Sequence, residues 1–389
     1  KDPLHLAGPR EHIFMPSVLR DVGVSEIPES MMQEQIVARE ATAWLREQRS
    51  RNPDQPWLLM TSFAHPHFPM NAARRFFDRY WPDNVTPPRI GRTGDTADHP
   101  LTIGAIRSDS GESQGHFIEN VTEEQTLKAR AAYFACVDFL DEILGDFLAQ
   151  LQRDGALENT VIIYTSDHGE LCGEHGLFWK NTWHEASARV PLIISTPGHR
   201  RGEIAASAII APASLADIYP TLCGLSGTPL ANGLDGVDLS PAVRGDSCPA
   251  LENRPGVITE SVVPRWGAGT EFRMIRDARY KYVAFRDCDD LAFDLQDDPD
   301  EQVNLVDKAQ DDVARDLAGL KDALLKGFSF AEAEVQRKEQ VAELAERFPA
   351  RVECRTPNQI LRGDGKLVEA DAALYEGEVV SSQPTKDFS

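Results

Sequence analysis

The chain has 389 residues, 41% of them hydrophobic and 26% charged, an ordinary composition for a globular protein of roughly two or three domains. Its formal net charge of −22 argues against a nucleic-acid partner and requires that any anion site be locally positive. No apolar run reaches the roughly 18 residues of a membrane helix, so a soluble protein without a membrane span is expected.

Residues 1–30 are irregular and hold several prolines. Ser30 and Gln33 have capping-box spacing and predict a helix to about Gln48, with Ile36, Val37, Ala41, Trp44 and Leu45 on one face. Asn52-Pro53 breaks it. Trp57–Phe63 is a continuous apolar run of the kind found in buried parallel strands. It leads into Ala64-His65-Pro66-His67-Phe68-Pro69, where the prolines force an extended loop. Residues 82–120, rich in Pro, Gly, Asp and Ser, read as a long excursion, a lid or substrate-facing loop. Thr122 and Gln125 give a second capping box, for a helix over residues 123–153. Its stripe is Leu127, Phe134, Val137, Leu140, Leu144, Phe147, Leu148 and Leu151, and Asp154-Gly155 ends it. Thr160–Thr165 and Val190–Ser195 read as two further buried strands. A strand near Ala206–Ile210 precedes a helix at Ser214–Leu225.

This rhythm predicts an α/β domain over residues 1–250, a mainly parallel sheet flanked by helices. After about residue 250 the pattern changes. Val257–Val262, Phe272–Arg276, Tyr280–Phe285 and Leu291–Leu295 are short strands between turns. They predict a smaller C-terminal α+β domain, residues 251–389, with an antiparallel sheet. Residues 308–347 read as charged helix, Ile360–Ala370 as a hairpin about Gly363-Asp364-Gly365, and the last dozen residues as a loose tail. The acidic stretch Asp287–Asp312 reads as a solvated loop and helix start.

None of the six cysteines forms a Cys-x-x-Cys pair, and their wide spacing leans towards a reducing compartment. The chain starts at Lys1 with no signal-type stretch, as expected of a chain that lacks its own N-terminus. Cytoplasm and periplasm therefore both stay open, as does a homo-oligomer.

Three segments carry chemistry. Ser166-Asp167-His168-Gly169-Glu170 follows a predicted strand, where ligands of open α/β sheets bind. Asp167 offers a hard oxygen and His168 a nitrogen, a set suited to Ca²⁺, Mn²⁺ or Mg²⁺, with Gly169 permitting a sharp turn. The bland alternative is a polar turn. Lys180 lies among aromatics near His184 and suits an anionic ester as a point charge, or is a snorkelling surface lysine. Arg189 suits an ion pair as well as a substrate. His65 and His67 also follow a predicted strand, and either is structural or protonates a leaving group.

Taken in order, these segments resemble the sulfatase family, including its phosphonate monoester hydrolase branch. Trp57–Pro69 resembles that family's strand ending in Pro-His-x-Pro, and Gly155–Glu170 its passage into the metal site. Gly173–Ser195 continues with Gly-x-His-Gly…Lys…Arg-Val-Pro-Leu-Ile, followed by similar segments at Ser214–Leu222 and Arg276–Leu305. The resemblance implies an alkaline phosphatase-like fold and hydrolysis of small-molecule or saccharide sulfate esters, with phosphonate or phosphodiester hydrolysis as the alternative. It implies Asp167 and His168 as metal ligands, with Ca²⁺ foremost, and Lys180 and His67 as catalytic and substrate-binding groups. His65 and His184 are expected beside the substrate. The family nucleophile is usually a formylglycine made from a cysteine, in a motif of Cys or Ser followed by x-Pro-x-Arg, and none of the six cysteines here sits in that motif. The first metal-binding Asp-Asp segment is also absent. The expectation is an N-terminal truncation that leaves this chain alone inactive. A non-catalytic anion-binding relative is the alternative from another class.

Overall fold

A computed structural model describes residues 22–107, 121–263, 266–347, 359–361 and 367–369. Its main elements in chain order begin with strand β1 (Gly23–Val24), helix α1 (Gln33–Arg51), strand β2 (Asn71–Ala72) and helices α2 (Pro100–Arg107) and α3 (Glu123–Arg153). Strands β3 (Ile162–Thr165) and β4 (Leu192–Ser195) and helix α4 (Ile218–Ser226) follow. Then come strands β5 (Val257–Ser261), β6 (Phe272–Arg276), β7 (Tyr280–Phe285) and β8 (Leu291–Asp294). Helices α5 (Asp311–Leu325) and α6 (Phe330–Arg347) precede strands β9 (Gln359–Leu361) and β10 (Leu367–Glu369). The described residues divide into two compact units, drawn from residues 1–87, 107–147 and 331–389 in one case and 88–106 and 148–330 in the other.

In the first unit, α1 buries Glu34, Ala38, Ala41 and Leu45, one face at helical spacing. The capping box expected at Ser30 does not form. A 3₁₀ turn at Glu29–Met31 occupies that place, and Met32 becomes the N-cap without a side-chain bond. Trp44, expected on the buried face, is exposed. The second capping box does form: Thr122 N–H donates to Gln125 Oε1 at 2.9 Å, and Gln125 N–H to Thr122 Oγ1 at 3.2 Å. The buried stripe of α3 runs through Ala129, Ala132, Ala135, Phe139 and Ile143, while Val137 faces out. Small alanines allow close packing on that side, and Phe139 meets Phe76 at 5.3 Å.

Trp57–Phe63 joins no ladder among the described residues. It alternates half-buried and exposed residues, with Leu58 73% and Met60 88% exposed. An apolar run is compatible with a buried strand but does not supply its neighbour. Parallel pairing is confined, among the described residues, to Gly23↔Asn71 and Val24↔Ala72.

In the second unit, β3 and β4 pair antiparallel, from Ile162↔Ser195 to Thr165↔Leu192, where a parallel sheet was expected. A parallel neighbour needs a crossover back to the starting end, usually a full helix. Residues 166–191 hold only a 3₁₀ turn and a one-turn helix, so the chain doubles back. Ala206–Ile210, expected as a strand, joins no ladder either. The helix expected after it is present as α4, entered through a 3₁₀ turn at Leu215–Asp217 that Ser214 caps.

The antiparallel sheet matches expectation. Strands β5-β6-β7-β8 form a four-stranded meander, with Phe272↔Phe285 and Tyr280↔Asp294 in register. All six residues of β7 are buried. Helix α5 places Leu317, Leu320 and Leu324 in one cluster with Ile275, Tyr280, Tyr282 and Ala284. Strands β9 and β10 pair antiparallel with Leu361↔Leu367, the expected hairpin. Its glycine turn, residues 1–21, part of the long excursion (108–120) and the tail lie outside the described residues.

Leu324 is fully buried, so Leu324→Ala should lower stability by about 2–5 kcal/mol through lost burial and the cavity left behind. Urea unfolding followed by tryptophan fluorescence reads this directly, and the exposed Val303→Ala should shift the midpoint little.

Candidate functional site

Asp167 and His168 stand directly beyond β3. Asp167 Oδ1 accepts the His168 N–H at 3.0 Å, and Ser166 Oγ donates to the His168 carbonyl at 3.0 Å. His168 Nδ1 donates to the Gly169 carbonyl at 2.8 Å. A carbonyl can only accept, so Nδ1 carries a proton, and in the neutral imidazole Nε2 is then the lone-pair nitrogen. Nε2 lies 3.5 Å from Asp167 Oδ2. One cation with ligand distances of roughly 2.0–2.6 Å can bridge that gap. Asp167 is 83% exposed, so the donors are open to solvent. The oxygen-plus-imidazole set fits a divalent cation as two of its ligands. Among the described residues no group of three or more His, Cys, Asp or Glu converges on a metal position.

Gly169 is required, but not for the expected reason. Its φ is not left-handed. A Cβ there would come 2.1 Å from the Ala186 carbonyl oxygen, and its N–H donates to the Ser187 carbonyl at 2.8 Å. Close backbone approach, not turn geometry, excludes a side chain.

Glu170 then turns inward. Its Oε1 accepts the N–H of Cys172 at 3.0 Å and of Trp179 at 2.5 Å. Burial raises its pKa, against which these bonds and the Lys180 charge pull down. Leu171 N–H donates to the Trp179 carbonyl at 2.8 Å, closing the base of a loop. Within and just beyond that loop, Cys172, His175, Trp179 and Asn181 hold φ values of 44°, 56°, 79° and 66°. Left-handed non-glycine residues cost on the order of 1–3 kcal/mol each and persist only where surroundings impose them. Lys180 sits between two of the four, its ammonium 5.0 Å from the Trp179 ring centroid.

Part of the long excursion docks here. The Glu174 carboxylate accepts the N–H groups of Arg89 and Ile90 at 2.9 and 3.1 Å, and His175 N–H donates to the Ile90 carbonyl at 2.9 Å.

His184, expected beside the substrate, is only 1% exposed. Its ring stacks on His175 at 3.9 Å, and its Nδ1 lies 3.0 Å from Thr182 Oγ1. Burial, then the charges of His175 and Lys281, hold its pKa well below the ordinary histidine value. Burial likewise lowers His175, to about 4. His65, also expected beside the substrate, has its side chain only 9% exposed, with Nδ1 3.4 Å from Glu34 Oε2 and its ring edge on Phe139. Burial lowers its pKa and Glu34 opposes that. His67 is exposed, and its Nδ1 donates to the Phe68 carbonyl at 2.9 Å. His65 and His67 belong to the first unit; Asp167, His168, Lys180 and His184 are gathered in the second.

One residue that sequence reasoning passed over is Lys281. It is fully buried, with Nζ 2.7 Å from Glu185 Oε1, 2.8 Å from Glu301 Oε1 and 2.8 Å from the Trp183 carbonyl. Glu301 Oε2 accepts the Glu185 N–H at 2.7 Å. Burial pushes both carboxyls up. For Glu185 the charges of Lys281, Arg276 and Arg189 win and hold it below the carboxylate range, while Glu301 stays raised. The available signal was a lysine inside Tyr280–Phe285, an otherwise apolar strand that would have to bury it against an acid.

No helix among the described residues is long and apolar enough to cross a membrane. The family model described as Sulfatase matches residues 10–228, and that for N-sulphoglucosamine sulphohydrolase, C-terminal, matches residues 173–326. The chain is 35% identical over 294 residues to choline-sulfatase of Rhizobium meliloti, covering 73% of this chain and 54% of that protein. It is 32% identical over 290 residues to arylsulfatase K of Bos taurus, covering 69% and 51%. The crystal structure of the phosphonate monoester hydrolase of Agrobacterium radiobacter superposes with a TM-score of 0.64 at 27% identity, covering 91% of this chain and 67% of that one. The chain thus spans about half the length of the curated relatives it matches.

Burial of His175, reinforced by the Lys281 charge, makes the second unit sensitive to acid. His175 titrates at about 4 when folded and at its ordinary 6.5 when unfolded. It contributes about 3 kcal/mol that is fully present above pH 6.5 and is lost as pH falls to about 4, because only the unfolded chain takes up the proton. Chemical denaturation at pH 7.5 and 4.5, with Trp183 as reporter, should show this loss, and His175→Gln should flatten part of the slope.

Proposed function

The chain belongs to the sulfatase family and shares the alkaline phosphatase-like fold, and from that premise we propose that the protein carrying it hydrolyses sulfate esters at a site that includes Asp167, His168 and Lys180. The observation that carries the proposal is the pairing of Asp167 Oδ2 with His168 Nε2 at 3.5 Å beyond β3. The proposed metal is Ca²⁺, with Mn²⁺ and Mg²⁺ as alternatives of the same donor chemistry. Once bound, such a cation polarises the ester oxygens and stabilises an oxyanion nucleophile.

The chain's own residues do the rest. Lys180 offers a compact positive charge to a non-bridging oxygen, in a protein whose net charge of −22 would otherwise repel the substrate. His67 gives a proton to the departing alcohol, and because its Nδ1 is committed to the Phe68 carbonyl, that transfer runs through Nε2. His65 and His184 are assigned to packing, each within its own unit, since the His65 side chain is only 9% exposed and His184 only 1%. No cysteine here lies in Cys-x-Pro-x-Arg, so the formylglycine nucleophile is assigned to the protein outside these 389 residues. The substrate class is a small-molecule or saccharide sulfate ester, in line with choline-sulfatase and the N-sulphoglucosamine sulphohydrolase match.

A second reading, hydrolysis of phosphonate esters, is favoured by the 27% identity to the phosphonate monoester hydrolase. A cation on Asp167 and His168, together with Lys180, would serve either tetrahedral oxyanion.

The test is turnover of an aryl sulfate and an aryl phosphonate by the whole protein, with and without chelator. Chelator should abolish sulfate release, and Lys180→Ala or Asp167→Ala should lower kcat/KM by about 10²–10³-fold, as loss of a charge-stabilising group does. Preference for the phosphonate would select the second reading. Absent turnover, or turnover indifferent to chelator and to both substitutions, would sink the proposal.

A further inference from the structure

Lys180 is flanked by two left-handed residues, Trp179 at φ 79° and Asn181 at φ 66°. Such a turn relaxes unless bonds outside it hold it. Here it is held from two sides by side chains far apart in sequence. Before Lys180, the Glu170 carboxylate accepts the Trp179 N–H at 2.5 Å. After it, the Trp266 indole N–H donates to the Asn181 carbonyl at 2.8 Å, across 85 residues of sequence. Trp266 is itself fixed. It is 8% exposed, and its backbone lies so close to Gly104 of α2 that a Cβ there would come 1.8 Å from the Trp266 carbonyl oxygen.

We propose that Trp266 is a positioning residue for Lys180: its indole N–H and the Glu170 carboxylate hold the turn that presents the ammonium to the sulfuryl or phosphoryl oxyanion. This rests on the anion-binding role given to Lys180 above. The physical reason is entropic. A lysine ammonium rides on a flexible four-carbon stem, and fixing the stem's origin reduces the freedom lost when the anion binds. Nothing in the local motif around Lys180 encodes this, because the donor comes from the segment just ahead of β6.

Trp266→Phe keeps an aromatic ring, though a smaller one, and removes the N–H. Inorganic sulfate is titrated calorimetrically into the whole protein, its Lys180→Ala variant, Trp266→Phe, and Trp266→His, which can return a ring N–H. Amide hydrogen exchange over residues 177–182 is followed alongside. For Trp266→Phe the sulfate dissociation constant should rise about fivefold, the worth of one neutral hydrogen bond. Exchange over 177–182 should quicken while β6 and β7 keep theirs, and Trp266→His should recover part of both losses. Folded Trp266→Phe with unchanged sulfate affinity and unchanged exchange at 177–182 overturns the proposal. So does exchange that quickens equally in β6 and β7, which marks a merely structural tryptophan. If Trp266→Phe does not fold, Trp266→His alone still reads exchange and affinity against wild type. Wild type and Lys180→Ala binding sulfate equally overturns the Lys180 assignment itself, an outcome distinct from failure at Trp266.

Discussion

The buried ammonium of Lys281 is the constraint on which the second unit depends. An isolated ammonium in that position would cost far more than a small domain can spare. Glu185, Glu301 and the Trp183 carbonyl surround it at 2.7–2.8 Å, and the Glu185 N–H closes back on Glu301. The antiparallel sheet and the segment that follows Lys180 are therefore joined by ions that cannot be separated cheaply. Two carboxylates around one ammonium would leave an excess negative charge in the interior. Raising Glu301 while depressing Glu185 is how burial and the neighbouring arginines divide that charge. The arrangement reaches the segment after Lys180 directly: Trp183 gives its carbonyl to Lys281, and its buried ring lies 4.6 Å from that of His184, the residue before Glu185.

Much of the architecture was legible in the sequence, and the pattern of success is physical. The meander β5–β8 and the start of α3 were readable because their bonds join residues close in sequence, and α3, α5 and α6 because helical periodicity is local whatever the helix packs on. Thr122 and Gln125 cap α3 across three residues, and Tyr280–Phe285 pairs with strands a turn away. Trp57–Phe63 misled because its hydrophobicity says what it would bury, not whether a neighbouring strand accompanies it. Val190–Ser195 misled because strand direction is set by the connection, which here is too poor in helix to cross over. Ser30 misled because a 3₁₀ turn took the place of its cap.

The candidate site can be divided by what is local. Asp167, His168 and Lys180 could be singled out as candidates because their chemistry is local: a hard oxygen beside an imidazole at a strand end, and a lysine among aromatics. His65 and His184 were expected at the substrate from position alone, and burial against Glu34 and His175 is a tertiary fact that no spacing encodes. Glu170, Trp266, Lys281 and Glu301 went unassigned for the same reason. Each acts on a backbone or charge that becomes its neighbour only when the chain is folded.

The meander also bears on the order in which this unit can assemble. Its pairings, such as Tyr280↔Asp294 and Phe272↔Phe285, close short loops, whereas Lys281 meets the Trp183 carbonyl across 98 residues and Glu301 meets the Glu185 amide across 116. Closing a loop costs entropy that grows with its length, and local contacts form before distant ones repay theirs. The sheet is thus the inexpensive nucleus. Of the two bonds that hold the turn carrying Lys180, the one from Glu170 spans nine residues and the one from Trp266 spans 85, so only the second belongs with the costly closures.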